Sequence, residues 1–418
     1  MSRAMNTTGE VKIDKSRVRA VYCDHRASDD EIYACLKRAT DPLHHAWRRL
    51  QAAKTIAVKF NQDSAPEKVV MFAGQRQQLV SDGVARAVLR LLREKTTARI
   101  LCADTSTWAQ YENTPPGTTT TLAPVLQEFE VEYLDCSAQP VCWYDVPGGG
   151  QMFARYPLRQ ELAEADAVVS VQKIKNHGFM GITLCLKNLF GLLPMEPLGR
   201  HRSYYHHIVR MPYVLADLGQ LLNPSLNIID ALVGQAATEW GDGKDKGRIV
   251  NGLIAGDQVV ATDTCGAYLM GHDPAADWLS PPYHRDRNAL LVAAESGFGT
   301  VNLSAIDFES ELQPQPDGTF YTRATDSREM VISWRKTMCE QALFYRDYRA
   351  IFERYSGEYI LLQLGQVRWH DKTGRLWQSR RELAGENPEQ SMWLKYVDPA
   401  EREGEQYTVY EEALRTIP

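Results

Sequence analysis

The stretch Val168–Gly191, VVSVQKIKNHGFMGITLCLKNLFG, joins an apolar run to a cluster of basic residues. Val168–Val171 is apolar without alternation, as expected for a strand covered on both faces of a sheet. Lys173, Lys175 and His177 follow it with almost no spacer. The pattern predicts an inner strand of an α/β protein that delivers charged groups to one edge of the sheet.

The residues after this strand predict a helix that begins at Gly178. Ile182, Leu186 and Leu189 recur at core spacing and leave a neighbouring stripe of polar and small residues. The first turn of a helix has free N–H groups and the positive end of the helix dipole, both of which favour a bound anion. The candidate contacts to a substrate in this segment are Gly178, Thr183, Lys187 and Asn188.

Short β-branched runs alternate with helical patterns along the chain, which is typical of βα units and a mainly parallel sheet with helices on both faces. Asp82 and Asp257 are candidate N-caps of two of these helices. The strand candidates are Thr55–Lys59, Arg99–Ala103, Val168–Val171, Leu226–Ile229 and Gly252–Ala255.

Ligands of open α/β sheets bind outside the carboxyl ends of the strands. Lys59 and Asn61 follow the first predicted strand, and Asp230 follows the fourth. We therefore expect these side chains near Lys173, Lys175 and His177, with Lys59 and Asn61 as further contacts to the substrate. Polar surface loops that carry no function are the alternative explanation.

The composition changes beyond about residue 310. We place an α/β domain at residues 10–310 and a smaller C-terminal α+β module of unknown role at residues 311–418. The module is expected to contain a helix from about Met330 and a hairpin with its turn near Lys372–Gly374.

The chain has 418 residues and a formal net charge of -6, which speaks against a general nucleic-acid binder. Its basic residues are concentrated locally, with six Lys or Arg and one acid between Val168 and Arg210. This contrast indicates a site for a small anionic molecule that carries a carboxylate or a phosphate. A solvated helix entrance is the structural alternative, and a homo-oligomer remains possible.

The eight cysteines form no C-x-x-C pair, so no iron–sulfur cluster is expected. Several cysteines lie in apolar runs, where a reduced thiol packs as a small hydrophobe. The first residues contain no apolar signal region, and no apolar span reaches membrane length. We expect a cytoplasmic protein without a membrane partner.

Histidine adds two hypotheses about chemistry. His177 stands where a general acid or base is needed, and we name it with Lys173 and Lys175 as the candidate catalytic residues. A divalent metal with mixed nitrogen and oxygen ligands is also possible. Its candidate ligands are His206, His207, Asp230, Glu239 and Asp263. The glycine-rich segment Ala237–Arg248 is a candidate loop that closes over the ligand.

These motifs, in this order, resemble the DUF362 domain family over roughly residues 55–300. The resemblance rests on K-x-K-x-H and T-x-x-x-K-N-x-x-G around Lys173 and Lys187, and on the stretch DQVVATD from Asp257 to Asp263. TIAVKFNQ is similar to the family's K-P-N strand end, with Phe60 in place of proline. The resemblance implies a site made of Lys59, Asn61, Lys173, Lys175, His177, Lys187, Asn188, Asp217, Asp230, Glu239, Asp257 and Asp263.

Many members of that family carry ferredoxin-like cysteine clusters, which this sequence lacks. Our leading hypothesis is a cytosolic metabolic enzyme that acts on a small anionic substrate through lysine and histidine acid–base chemistry, with or without a divalent metal. The first alternative is a non-catalytic carrier of a ligand or metal in a biosynthetic pathway. The second is a redox protein that uses a borrowed cofactor.

Overall fold

The computed structural model describes residues 15–239, 246–375, 382–383 and 391–418. Its strands, in chain order, are β1 Arg17–Tyr22, β2 Thr55–Phe60, β3 Met71–Phe72, β4 Gln75–Arg76, β5 Arg99–Asp104, β6 Glu132–Asp135, β7 Val141–Asp145, β8 Arg155–Arg159, β9 Ala167–His177, β10 Gly181–Thr183, β11 Leu226–Gln235, β12 Gly247–Gly256, β13 Asp307–Ser310, β14 Tyr359–Gln363, β15 Gln366–Asp371 and β16 Trp393–Tyr396.

The α-helices vary from single turns to the 20 residues of Arg328–Asp347. In chain order they are α1 Asp29–Thr40, α2 His44–Ala52, α3 Asp82–Lys95, α4 Thr107–Glu112, α5 Ala123–Glu128, α6 Gln160–Ala163, α7 Cys185–Asn188, α8 Arg202–Tyr205, α9 Arg210–Leu222, α10 Val259–Leu269, α11 Ala289–Glu295, α12 Arg328–Asp347 and α13 Thr408–Arg415. In the described part of the chain, no helix is both long and apolar enough to cross a membrane.

The main sheet has nine strands in the order β13-β1-β12-β11-β9-β2-β5-β6, with β10 paired to β9. Strands β11, β9, β2, β5 and β6 run parallel to one another. Strand β12 runs antiparallel to both β11 and β1. The prediction of a mainly parallel α/β sheet is therefore confirmed.

Both faces of this sheet are covered by packed side chains. Successive side chains of a strand point to opposite faces, so each strand contributes to both cores. Ile56 and Val58 pack on one face against helices α1, α2, α3 and α5, whereas Ala57 packs on the other. Ile228 and Ile229 divide in the same way between the two cores. The apolar strands found in the sequence have no alternation because neither of their faces meets water.

The prediction of a helix that begins at Gly178 is wrong. Strand β9 continues through His177, a turn follows, and β10 folds back on β9 with Gly181 opposite His177. The helix begins only at Cys185, and its α-helical part ends at Asn188. The helical spacing of the leucines was misleading because β10 and this short helix together bury them against one core.

Three smaller expectations also need correction. Ser81 rather than Asp82 is the N-cap of α3, and Gln258 rather than Asp257 caps α10. The C-terminal hairpin turns at Leu364 and Gly365, between β14 and β15, and not near Lys372–Gly374. Each error shifts an element boundary and leaves the element itself in place.

The C-terminal segment contributes α12, α13 and the antiparallel sheet β15-β14-β16. Its buried side chains, among them Tyr345 and Trp393, belong to the same core as the helices on one face of the main sheet. Buried ion pairs join the segment to the rest, among them Arg210 Nη2 2.8 Å from Glu405 Oε1 and Arg335 Nη1 2.9 Å from Asp286 Oδ1. The segment therefore covers one face of the α/β body.

Candidate anion-binding site

A cleft of about 170 Å³ opens at the carboxyl ends of β2, β5 and β9, the edge at which parallel sheets usually bind ligands. Strand β9 is longer than its neighbour β2, whose last residue, Phe60, lies opposite Val171. The remaining residues of β9 therefore form a wall beside the cleft. The residues that line it are Lys59, Asn61, Asp63, Asp104, Thr107, Trp108, Tyr111, Gln172, Lys175, His177, Thr183, Lys187, Asn188, Phe190, Gly191, Arg202 and Glu239.

Lys59 is held on the floor of the cleft by its own ion pair. Its Nζ lies 2.8 Å from Asp104 Oδ2 and donates a second hydrogen bond to the Phe60 carbonyl at 2.7 Å. Gly191 packs directly on this pair, since a Cβ there would lie 2.7 Å from Lys59 Cε. Asn188 donates through Nδ2 to the carbonyls of Lys59 and Val171 and so fixes β2 against β9.

Lys175 lies beside this pair in the same cleft. Its Nζ donates to Asn61 Oδ1 at 3.1 Å and to the Gln78 carbonyl at 2.9 Å. Burial lowers the pKa of Lys175 to about 7, and the positive charges of Lys173 and Lys59 act in the same direction, against Glu239. The amine can therefore exchange a proton near neutral pH.

Lys187 and Arg202 also line the cleft, and neither forms an ion pair within the described part of the chain. Both are half-buried and contact the ring of Phe190, with Lys187 Nζ 5.0 Å and the Arg202 guanidinium carbon 4.7 Å from its centroid. Burial first, and the charge of Arg202 second, lower the pKa of Lys187 to about 7. Two like charges placed together in a low-dielectric cleft favour the binding of an anion between them.

Thr183 adds a neutral hydrogen-bonding group to the same cleft. Its side chain is 5% exposed, and its hydroxyl oxygen has no hydrogen-bond partner within the described residues. Buried hydroxyls are normally hydrogen-bonded, because leaving them unpaired costs free energy. A ligand with acceptor oxygens would satisfy this one.

His177 is tied on both ring nitrogens. Nδ1 accepts the backbone N–H groups of Phe179 at 3.0 Å and Met180 at 3.1 Å, which places the ring proton on Nε2. Nε2 in turn lies 2.9 Å from Glu239 Oε1. Burial lowers the pKa of His177. In this tautomer the neutral imidazole donates its proton to Glu239. Its other ring nitrogen already accepts two backbone N–H groups, so the ring is poorly placed to act as a base.

Glu239 contacts both His177 and the turn that follows β9, because it also accepts the Gly178 N–H at 3.3 Å. Burial tends to raise the pKa of Glu239, but its hydrogen bond with His177 and the charge of Lys187 hold it below its ordinary value. His206 stacks on His177 with ring centroids 5.6 Å apart. Burial and the charge of Lys187 lower the pKa of His206.

Lys173, named as a candidate catalytic residue, does not line the cleft. Its side chain is fully buried, and its Nζ lies 3.0 Å from Asp230 Oδ2. Asp230 also accepts the Ser81 N–H at 2.8 Å, so the pair joins β9 and β11 to the start of α3. Burial lowers the pKa of Lys173, and Asp230 opposes this effect. The contacts of both residues are those of a structural ion pair.

An internal carboxylate already occupies the helix N-terminus in which we expected an anion. Asp263 accepts the N–H groups of Cys185 at 2.9 Å and Leu186 at 2.7 Å, the first two residues of α7. Burial raises the pKa of Asp263 to about 7. The favourable end of this helix dipole is therefore satisfied by the chain itself.

The other acids implied by the family resemblance also have structural contacts. Asp217 accepts the N–H groups of Met152 and Phe153 and the hydroxyl of Tyr156. Asp257 accepts the N–H of Arg17 at 2.8 Å, which holds β1 beside the end of β12. Neither of these two acids lines the cleft.

The five candidate metal ligands are not gathered in one place. Asp230, Asp263 and Glu239 have the separate partners given above, and His207 Nε2 lies 3.1 Å from the Met392 carbonyl of the C-terminal segment. Among the described residues, no group of three or more His, Cys, Asp or Glu side chains is arranged to hold a metal ion. The candidate closing loop at Ala237–Arg248 falls largely on residues 240–245, outside the described residues.

The structure thus brings together Lys59, Asn61, Lys175, His177, Thr183, Lys187, Asn188 and Glu239, and it adds residues that the sequence argument did not name as site residues. Arg202, Trp108 and Tyr111 are the most consequential of these additions. Arg202 belongs to the HRSYYHH run, which drew attention only for its histidines. Trp108 and Tyr111 follow Asp104 on α4, so the strand-end rule could have pointed to them.

The fold and this cleft define an α/β protein with a cationic site at the carboxyl edge of its sheet. The chain matches the model of the domain of unknown function DUF362 over residues 56–268, and it belongs to that family. This confirms the resemblance found in the sequence.

Two further proteins are similar to parts of the chain. A thylakoid-associated protein of Synechocystis sp. is 28% identical over 130 residues, which cover 29% of this chain and 38% of that protein. The chain thus matches well under half of that relative's length. The lactate racemase apoprotein of Thermoanaerobacterium thermosaccharolyticum superposes on 61% of this chain and 57% of its own, with a TM-score of 0.33 and 12% identity. At that TM-score the likeness carries no inference.

Proposed function

We propose that the protein is an enzyme that binds a small carboxylate or phosphate substrate in the cleft. The observation that carries this proposal is the placement of Lys187 and Arg202, which face the cleft half-buried and without an ion pair in the described part of the chain. The unpartnered Thr183 hydroxyl lies in the same cleft and supplies a donor to an anionic oxygen. Burial of the cations makes their attraction for an anion stronger than it would be at the surface.

Within this proposal, Lys175 is the residue that moves a proton. Its pKa of about 7 keeps comparable amounts of the amine and the ammonium form at neutral pH, as efficient general acid–base catalysis requires. Lys59 and its partner Asp104 lie beside it and add a fixed charge pair. The reaction class is proton transfer next to the carboxylate or phosphate of the substrate, and His177 acts by positioning Glu239.

The eight cysteines, which form no disulfide bonds, support a reducing compartment. We accordingly propose a cytoplasmic location. Cell fractionation with an antibody against the chain would test this, and recovery with membranes after a high-salt wash would contradict it.

Calorimetric titration of the purified protein with inorganic phosphate and with acetate tests the binding proposal. We expect saturable binding of at least one anion, and a loss of about tenfold or more in affinity for each of Lys187→Met and Arg202→Met, since each removes a desolvated charge contact. Lys336→Met is the matched control, because Lys336 is exposed on α12. Equal affinities of the cleft variants and this control would contradict the proposal.

Acid–base chemistry is tested separately from binding. Lys175→Met should abolish exchange of a substrate proton with deuterated solvent while it leaves the affinity for acetate within about tenfold of the wild type, because Lys187 and Arg202 remain to hold the anion. If the Lys175→Met variant retains full exchange with a bound substrate, the role assigned to Lys175 is wrong. Binding without exchange in the wild-type protein would favour a carrier.

A further inference from the structure

One wall of the cleft is aromatic, and the binding of a simple anion does not use it. Helix α4 supplies Trp108 and Tyr111 to the lining. Ala109 is the buried residue of this helix, and Tyr111 is 55% exposed. Phe190 lines the cleft as well, between the two unpaired cations. The apolar and the cationic surfaces of the cleft therefore adjoin each other.

Tyr111 is the exposed ring of this wall, whereas Lys68 Nζ lies over the Trp108 ring, 3.8 Å from its centroid. Trp108 and Tyr111 meet edge to face, with centroids 6.1 Å apart and planes at 87°. The Tyr111 hydroxyl has no hydrogen-bond partner among the residues that the structure describes. Tyr111 and Arg202 line the same cleft.

Helix α4 is anchored, so the position of its rings is defined. The Trp108 N–H donates to Asp63 Oδ2 at 3.0 Å, and the Gly117 N–H donates to Ser106 Oγ at 2.8 Å. Ser106 and Asn113, which flank the helix, both have left-handed backbone conformations with φ of 47° and 54°. Non-glycine residues adopt this conformation only where surrounding contacts hold them there.

We propose that the substrate is an aromatic anion, whose planar ring packs against Tyr111 while its carboxylate or phosphate contacts Lys187 and Arg202. A ring stacked on an aromatic side chain gains more than an aliphatic group of similar size, because offset and edge-to-face contacts complement the charge distribution of both rings. This inference rests on the proposed function and specifies its substrate class.

Paired ligands test the inference on the full chain. Calorimetry compares phenyl phosphate with inorganic phosphate and benzoate with acetate, so that both kinds of anion are covered. In at least one pair, the aromatic member should bind about tenfold or more tightly, as expected for one stacked ring. Tyr111→Ala should remove most of this ratio and leave the affinity for the plain anion within about twofold.

Three controls separate the possible outcomes. Tyr111→Phe should retain the ratio, because it keeps the ring. Tyr348→Ala should also retain it, since Tyr348 is equally exposed at the end of α12 and does not line the cleft. Equal affinities within both pairs, or a ratio that survives in Tyr111→Ala, would overturn the aromatic substrate and leave the anion site standing. Absence of binding by all four anions would overturn both proposals.

Discussion

Lys173 and Lys187 come from the same basic stretch of sequence, and the fold uses them in opposite ways. Lys173 is fully buried and paired with Asp230, so its charge is neutralised within the protein. Lys187 is half-buried against Phe190, with no carboxylate at ion-pair distance among the described residues. A buried charge with a partner supports the fold, whereas one without a partner lowers stability and is retained where a ligand needs it.

The largest effect is expected from breaking the Lys173 pair. Lys173→Met leaves the Asp230 carboxylate buried without its cation, and removal of one partner from such a pair typically costs about 3–5 kcal/mol of the free energy of unfolding. Urea unfolding monitored by circular dichroism measures this loss.

The double variant Lys173→Met/Asp230→Asn should recover at least half of that stability, because it no longer buries a lone charge. If the Lys173→Met variant lost less than about 1 kcal/mol, within the range of an exposed pair, the structural role given to Lys173 would be wrong.

Gly191→Ala tests the packing around Lys59, a third lysine of the comparison. Lys59 is buried and paired like Lys173, but it lines the cleft like Lys187. The added Cβ would lie 2.7 Å from Lys59 Cε and 3.1 Å from its Nζ, so the ion pair with Asp104 must shift. We expect a loss of about 1–3 kcal/mol in the free energy of unfolding, as for other overpacked sites.

Gly178→Ala is the matched control, because the nearest atom to its Cβ is Thr238 Cγ2 at 3.5 Å. Gly178 is one of the residues named from the sequence as a substrate contact. A larger destabilisation for Gly178→Ala than for Gly191→Ala would contradict the packing described around the cleft.

Lys187→Met should separate stability from binding. The pKa of Lys187 is lowered from 10.5 to about 7 in the folded protein, so its charge opposes folding at every pH below the unfolded value. Its removal should leave the urea midpoint at pH 7 unchanged or higher, while affinity for the anion falls about tenfold or more. A variant that is both destabilised and fully able to bind would contradict the account.

The smallest effect is the dependence of anion affinity on pH. Lys175 and Lys187, each with a pKa of about 7, are charged below that pH and neutral above it. Affinity for acetate, which stays ionised, should therefore fall as pH rises from 6 to 8, by up to about tenfold over this range for each lysine. Asp63, with a pKa raised to about 6 by burial and by Asp104, acts in the same direction.

Titrations of the Lys187→Met variant over the same range should show a shallower slope, because one of the two lysines no longer titrates. The exposed-site variant Lys336→Met should keep the wild-type slope. Affinity that is flat or that rises with pH in the wild-type protein would show that the lysines do not hold the anion.

The sequence predicted the sheet well because its central strands are short, apolar and β-branched, which is a local property. It did not predict that β9 continues through Lys173, Lys175 and His177, because these polar residues resemble a loop. They are extended and buried only because β10 and the edge of the sheet enclose them. That information lies in tertiary contacts between residues far apart in sequence.

The candidate site was predictable in its location and only partly in its roles. The strand-end rule and the family resemblance both pointed to the cleft that contains Lys59, Lys175 and Lys187. Neither could show that Asp230 and Asp263 already have internal partners, since pairing depends on the register of neighbouring strands and helices. Arg202 was passed over because its position opposite Lys187 is set by the loop between α7 and α8.

The position of a bound anion tests the central claim most directly. A crystal structure of the wild-type protein grown with benzoate or phosphate would locate it. We expect its oxygens within hydrogen-bond distance of Lys187 Nζ and the Arg202 guanidinium, with the Thr183 hydroxyl as a further donor. An ordered anion at any other place in the fold, with Lys187 and Arg202 contacting only solvent, would contradict the account.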